Sequence, residues 1–513
     1  MPWKATMTLA TVYSRAAIGL EAPSVAVEVH LSNGLPAFTI VGLPEAAVRE
    51  SRERVRAALL NSNFEFPARR ITVNLAPADL PKEGGRFDLP IALGILMASD
   101  QVQTEKIDQY EYCAELSLSG RLRPVRGVLP TASAVSQQPH RGLVVAVENS
   151  VEAVMIAGLP VIAIDHLLEL VAHLTGVKSC SLSQTDPNHT HGITYPDLRD
   201  VRGQLQARRG LELAAAGGHS LLMVGPPGTG KSMLANRLPG LLPAMTESEA
   251  LETASIQSVA GRGFNPNTWS LRPFRSPHHS ASGAALVGGG TRPLPGEISL
   301  AHNGVLFLDE LTEFDRRSLE LLREPLESGV ISLSRVGAKI DYPARFQLIA
   351  AMNPCPCGYL GGDPGRCRCT PEQIGRYRSR LSGPLMDRID LHVELAAVPI
   401  ELLQAPSSSE ESEQVRCRVL EARQQQLQRG GKLNHELSAE DLEAVCRITN
   451  EGKRLLATAM EHFGLSVRAY YRILRLARTI ADLQRSSAVR TEDIAEAIQF
   501  RKLDRPISPD HHS

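Results

Sequence analysis

The chain has 513 residues, 43% of them hydrophobic and 22% charged, with 55 basic side chains against 56 acidic ones. That length allows roughly three or four domains, and the near-neutral balance excludes a nucleic-acid partner held by overall charge, so any such partner needs a local basic surface. Aromatic residues make up only 4%, which argues against a base-stacking platform; the start lacks a long apolar core and cleavage site and no run reaches membrane-spanning length, so a cytoplasmic protein with no membrane partner is expected.

Residues 1–175 read as mixed α/β. Val25–Leu31 alternates apolar and polar residues, Asn33-Gly34 marks a tight turn, and Ala37–Val41 follows, which predicts a hairpin. Glu45–Leu60 carries helix formers with apolar positions at 48, 55 and 59, and Ile71–Leu75 reads as a strand. Pro81-Lys-Glu-Gly-Gly-Arg-Phe-Asp88, the apolar helix Leu89–Ala98 and Leu116–Val125 resemble Lon-type protease domains. Those enzymes need a serine nucleophile and a lysine base within hydrogen-bond reach. This chain has Arg86 at the serine's place and Leu129-Pro130 near the lysine's, so the resemblance implies a scaffold that binds or oligomerises rather than cleaves. Arg69, Arg70, Lys82, Arg86, Arg121, Arg123 and Arg126 could form a DNA-facing surface, with a solvated face as the alternative. Residues 176–197, rich in Ser, Thr, His, Asn and Pro, read as a linker, and His189 and His191 within it as solvated rather than metal-binding.

The motor is expected over residues 198–400. Gly225-Pro226-Pro227-Gly228-Thr229-Gly230-Lys231-Ser232 fits the phosphate-loop template GxxxxGK[ST] at every fixed position, between a buried strand, Ser220–Val224, and a helix start, Met233–Leu238. The glycines let backbone N–H groups close round the phosphates of ATP, Lys231 reaches the β and γ phosphates, and the Ser232 hydroxyl meets Mg2+. Val305–Leu308 is a fully apolar strand ending in Asp309-Glu310, a Walker B pattern. Asp309 there holds Mg2+ through its water shell and Glu310 orients the attacking water. A third strand, Phe346–Ala351, runs into Met352-Asn353. The stretch Gly261–Glu297, with Arg275-Ser-Pro-His278-His279-Ser280, is too rich in Gly and Pro for a helix, and Val330–Tyr342 alternates around Gly337 as a β-hairpin with Arg335 and Lys339 near its tip.

The spacing of these motifs, the His278-His279 segment, Glu297–Glu310 and the Lon-like front half resemble the magnesium-chelatase-like AAA+ ATPases of the YifB/ComM group, over nearly the whole chain. The resemblance implies an α/β fold: an N-terminal Lon-protease-like (ribosomal S5 domain 2-like) α+β domain, an AAA+ P-loop motor and a C-terminal helical lid. It implies Asn353 as sensor 1 and Arg388 as an arginine finger acting on a neighbouring subunit, with Arg380 the weaker candidate. It also implies a hairpin whose Arg335 and Lys339 grip a nucleic-acid backbone in a pore, a hairpin packed between subunits being the alternative. The activity implied is that of a hexameric DNA helicase or translocase driving branch migration during natural transformation.

Cys355-Pro-Cys357 and Cys367-Arg-Cys369 are two CxC pairs nine residues apart, inside an insert spanning 355–369. Four thiolates so placed could close a tetrahedral Zn2+ site, and the Gly- and Pro-rich loop between them has little apolar surface to order it otherwise; four reduced surface cysteines are the alternative. Residues 401–435 form a linker and a helix, residues 436–506 a helical lid and residues 507–513 a tail. Ser438-Ala-Glu-Asp441 predicts a helix start, Thr491 caps a last helix, and Ser466-Val-Arg468 opens one with Arg468, Arg472 and Arg475 on one stripe. By the same resemblance Arg468 takes the sensor 2 position. Two other readings remain open: a metal-chelatase or protein-remodelling motor subunit, weighed down by the cysteine pairs and the lack of an acidic metal-binding repeat, and a protease or unfoldase, weighed down by the missing Ser and Lys.

Overall fold

Apolar residues at every second position make β-strands of Leu9–Arg15 (β1), Ser24–Ser32 (β2), Ala37–Val41 (β3) and Arg70–Ala76 (β4) in the computed structural model. The structure describes residues 9–183, 195–290, 293–335, 338–361, 365–399, 401 and 410–501. The linker histidines His189 and His191 and the tail lie outside them. Two compact units emerge: one of Met1–His191, Ala250–Trp269 and Ser334–Tyr342, the other of Gly192–Glu249, Ser270–Leu333 and Pro343–Ser513.

In the first unit the sheet order is β1-β2-β4-β3. The expected β2–β3 hairpin does not form: β4 inserts between them, antiparallel to β2 with Val29 opposite Val73, and parallel to β3. Ile71, Val73 and Leu75 are fully buried there, so a tight turn lost to the burial of a whole strand face. Ser51–Asn61 (α1) and Asp88–Ala98 (α2) are helices. α2 is apolar nearly all round and correspondingly buried, with Gly94 seated against Val29. A second, parallel sheet joins Tyr110–Cys113 (β5), Gly142–Ala146 (β6) and Val161–Ile164 (β7). Buried ion pairs tie the parts together: Arg15 to Glu111 at 2.7 Å and Arg54 to Asp88 at 2.7 Å.

Two of the seven basic residues expected on a surface are interior. Lys82 is fully buried and donates to the Pro77 carbonyl, with burial lowering its pKa. Arg86 donates to the carbonyls of Arg15 and Arg126. Arg86 is therefore a guanidinium that pins backbone together rather than a surface charge. The helix Glu247–Ala260 is held in this unit through Ser258, whose hydroxyl donates to Glu152 while its carbonyl accepts from Gly127 N–H.

The second unit is built on a five-stranded parallel sheet. Its strands are Leu221–Val224 (β8), Phe274–Arg275 (β9), Val305–Leu308 (β10), Gln347–Met352 (β13) and Leu391–Glu394 (β14), in the order β9-β10-β13-β8-β14. β8 and β10 are apolar and buried at every residue, as a parallel sheet covered on both faces requires. Between β10 and β13 in the chain, Val330–Arg335 (β11) and Ala338–Pro343 (β12) pair as the expected hairpin, whose residues Ser334–Tyr342 belong to the first unit, with residues 336–337 outside the described set. Of its two proposed DNA contacts, Lys339 is 65% exposed with Nζ 3.8 Å from Asp341, and the Arg335 side chain is outside the described set. Further along β12, Ile340 lies over Gly19, and burial pushes the Tyr342 phenol up to about 12, with Glu83 adding to the shift.

Leu205–Gly217 (α3) precedes β8 and Lys231–Ala235 (α4) follows the phosphate loop. The helical region comprises Ser412–Gly430 (α5), Ala439–Val445 (α6), Asn450–Phe463 (α7), Val467–Leu483 (α8) and Thr491–Gln499 (α9). Ser438 caps α6 reciprocally with Asp441, and Ser466 caps α8, as the sequence predicts. Ile473, Leu476, Ala477 and Ile480 of α8 join one core with Leu211 of α3 and Leu221 and Met223 of β8. Among the described residues no helix is long and apolar enough to cross a membrane.

Candidate active site

The three strands β10, β13 and β8 lie side by side and parallel, so their carboxyl ends open on one edge, where α/β sheets bind ligands. Gly225 leaves β8 there, its N–H donating to Met352 O at 3.2 Å. A Cβ at Gly225 would lie 2.6 Å from the Leu395 carbonyl oxygen, so only glycine lets the loop begin this close to the strand beside it. Gln204 then braces the loop, its Nε2 donating to Thr229 O at 3.3 Å and Ala396 O at 2.7 Å.

Lys231 is 8% exposed and its ammonium donates to Gly225 O at 2.7 Å, Pro226 O at 2.9 Å and Asn353 Oδ1 at 3.2 Å. Its three protons thus meet three neutral oxygens. Burial lowers its pKa, while Asp309 and Glu310 pull it back up. Ser232 Oγ donates to Asp309 Oδ2 at 2.6 Å. That hydroxyl and carboxylate form a hard, all-oxygen pair suited to Mg2+.

Glu310 sits in the left-handed region at φ 53, rare for a side chain of its size and costing of order 1 kcal/mol. That conformation sends the chain into the short turn Leu311–Glu313, and leaves the Glu310 carboxylate 53% exposed and 3.0 Å from His279 Nδ1. His279 packs against His278 with ring centroids 4.1 Å apart and the rings tilted by 34°, and His278 Nδ1 meets Ser280 Oγ at 2.8 Å. His279 is a functional candidate to which its residue type alone assigns no role. The informative signal is the pairing of β9 with β10, which places the segment after Arg275 beside the end of the Walker B strand.

Lys231, Ser232, Asp309, Glu310 and Asn353 are therefore brought to one edge. Arg388 and Arg468 gather instead around Glu327. Arg388 donates to Glu327 and to Pro384 O at 2.6 Å, and both arginines help hold the Glu327 carboxyl below its ordinary range, the Arg388 hydrogen bond most strongly. Arg380 donates to Thr312 O at 3.1 Å and pairs with Glu313. Within the arginine stripe of α8, Arg472 pairs with Asp390 at 2.8 Å and Arg475 donates to Leu437 O at 2.8 Å, while Arg468 is exposed.

The four cysteines of the insert converge. Their sulfurs all lie within 4.8 Å of one another, with Cys355 Sγ 3.4 Å from Cys357 and 3.7 Å from Cys367, and Cys357 3.6 Å from Cys367. All four are free thiols, since a disulfide needs about 2.0 Å.

Three family descriptions match the chain: "Magnesium chelatase, subunit ChlI" over residues 197–403, "Subunit ChlI of Mg-chelatase" over 27–149, and "Magnesium chelatase, subunit ChlI C-terminal" over 409–501. Competence protein ComM of Haemophilus influenzae is 52% identical over 504 residues, covering 97% of this chain and 98% of the relative. The YifB protein of Salmonella typhimurium is 51% identical over 502 residues, with 97% and 98% covered. Zygotic DNA replication licensing factor mcm6-B of Xenopus laevis is 24% identical over 363 residues, covering 64% of this chain and 39% of the relative. With a parallel P-loop sheet, a Walker edge, a helical region and near-full-length identity of this order, the chain belongs to the magnesium-chelatase-like AAA+ family of ComM and YifB, a family that suggests ATPase activity with Mg2+.

Proposed function

We propose that this protein is an ATP-hydrolysing hexameric ring motor of the cytoplasm that moves on DNA and drives branch migration in recombination during natural transformation. One observation carries the ATPase part: a lysine, a hydroxyl–carboxylate pair, a carboxamide and a glutamate converge where three parallel strands end. Mg2+ bound by Ser232 and Asp309 would neutralise charge on the phosphates. Lys231 would exchange its two carbonyl partners for phosphate oxygens while Asn353 Oδ1 keeps its ammonium aimed. Glu310, on releasing His279, would accept a proton of the attacking water and hold it in line. Arg388 would exchange Glu327 for the γ phosphate of a neighbouring subunit, and Arg468 would contact nucleotide as sensor 2.

The DNA part draws on the names of two relatives, a competence protein and a DNA replication licensing factor. Arg335 and the exposed Lys339, near the turn of the hairpin, would contact phosphates there. The N-terminal unit is read as a Lon-like scaffold without the catalytic pair, its serine position occupied by the buried Arg86. The four cysteines would hold Zn2+: tetrahedral thiolates bound at about 2.3 Å lie about 3.8 Å apart, close to the 3.4–3.7 Å between the sulfurs of Cys355, Cys357 and Cys367.

A mobile four-way DNA junction tests the reading. ATP-dependent movement that is lost in Lys231→Ala, and weakened when Arg335 and Lys339 are both changed to Ala, is the expected result. A second reading, a chelatase-type motor that remodels a protein partner, is favoured by the three family descriptions. No junction movement, with ATPase indifferent to every form of DNA, would select it.

A further inference from the structure

We infer that the four-cysteine loop is a positioning element of the nucleotide site, so that metal occupancy there sets the rate of ATP hydrolysis. This rests on the ATPase and zinc readings above. Only Pro354 separates Asn353, which holds Lys231, from Cys355, which is fully buried. A ligand atom fixed at Cys355 therefore restrains the backbone that aims the Asn353 carboxamide.

A second contact runs to the phosphate loop itself. Gly358 closes a turn by donating its N–H to Cys355 O at 3.0 Å, with φ at 84. A Cβ on it would lie 2.8 Å from Pro227 Cδ, 3.0 Å from Pro227 Cγ and 3.8 Å from Asn353 Cγ. The turn after the first cysteine pair thus sits directly on the second proline of the phosphate loop, and close to the sensor. From the far side Arg378, in the helix Pro371–Arg378 that follows the second pair, donates to Pro354 O at 3.4 Å. Cys367 and Cys369 return the chain to that helix, which starts at Thr370 with a reciprocal cap to Gln373.

Among the described residues between the two pairs, the Arg366 guanidinium lies 4.3 Å from the Tyr359 ring centroid, and this segment is mostly Gly, Pro and polar residues, with little apolar surface to order it. Metal bound, the turn presses on Pro227 and fixes Asn353; metal lost, both are released. Cys355, Cys357, Cys367 and Cys369 are positioning residues in this account, since none touches the nucleotide.

The test uses the full chain purified without chelator. Elemental analysis should find one zinc per chain. Stripping it with a mercurial thiol reagent and chelator, then restoring thiols with a reductant, should lower kcat at least tenfold while affinity for a fluorescent ATP analogue stays within about threefold, and added Zn2+ should restore turnover. Because coupling is reciprocal, a non-hydrolysable ATP analogue should slow zinc release several-fold. Gly358→Ala should keep the zinc and lower kcat several-fold by crowding Pro227. A stripped chain that hydrolyses at the original rate would overturn the inference, and so would loss of nucleotide affinity in step with kcat, which marks a general staple. A chain with ATPase but no zinc overturns the zinc reading with it; a zinc-loaded chain without ATPase overturns the ATPase reading instead.

Discussion

Two polar constellations in the second unit invite comparison. At the Walker edge, five residues drawn from three motifs meet around a buried lysine, and the outermost of them, Glu310, is 53% exposed and pairs with His279. Behind the sheet, a network joins β14, the turn before β8 and the helical region. His219 bridges Asp390 at 3.2 Å and Thr479 at 2.7 Å, Arg472 meets Asp390 at 2.8 Å, Asn434 bonds Thr479 at 2.9 Å and Asp482 at 2.8 Å, and Arg429 holds Asp482 at 2.8 Å. The first set is left free to exchange partners with a substrate; the second is satisfied inside the protein and holds the helical region on the strands. A buried polar group costs stability when its partner is removed, whereas an exposed one costs function.

That contrast is broken most sharply at Glu310. Glu310→Gln keeps shape and loses the proton acceptor, so turnover should fall about 100-fold or more with nucleotide affinity kept, as read by phosphate release beside a binding titration. Near-normal turnover would remove Glu310 from the chemistry. On the other side of the comparison, Asp390→Ala leaves Arg472 and His219 buried without their anion and should cost about 3–5 kcal/mol of stability in denaturant unfolding, while the folded fraction still binds nucleotide. Unchanged stability would demote the network to decoration.

The same network sets a pH dependence. Burial opposes charge on Asp390, but the His219 hydrogen bond and the Arg472 guanidinium outweigh it and hold the carboxyl far below its ordinary range; His392 is kept neutral by burial, with Arg501 and Arg472 reinforcing that. Both groups have a folded pKa below the unfolded one, so the unfolded chain binds more protons in acid. Stability contributed by His392 is present above about pH 6.5 and is lost as pH falls, at no more than about 1.4 kcal/mol per pH unit; that of Asp390 is present above about pH 4 and goes only in stronger acid. Thermal melts from pH 8 to 5 should show the first limb, and His392→Gln should flatten it. The smallest effect is expected at His279. Its half-exposed contact with Glu310 is worth up to about 1 kcal/mol, so His279→Ala should raise basal hydrolysis by no more than about fivefold, measured without DNA; a drop of 100-fold would make His279 part of the chemistry instead.

Some parts of this protein follow from local order along the chain. The phosphate loop needs its residues consecutive, the Walker B acids close an uninterrupted apolar strand, and the capping serines Ser438 and Ser466 act on their own next turn. Such features are written within ten residues and were legible there, as was the α/β class with its helical end. The cysteine pairs were legible as a candidate cluster, because spacing alone brings four soft ligands into reach. Other features were decided by the tertiary structure, because their partners are far apart in the chain. β4 displaced the local hairpin between β2 and β3 since burying its apolar face outweighs one tight turn. Lys82 and Arg86 went inside, though a basic run reads as surface, because backbone carbonyls there satisfy their charges. His279 meets Glu310 only because β9 lies beside β10, and Gly358 meets Pro227 only because β13 lies beside β8. The candidate site was carried by short motifs; which neighbour restrains each of its residues was set by strand order, which no short stretch of residues contains.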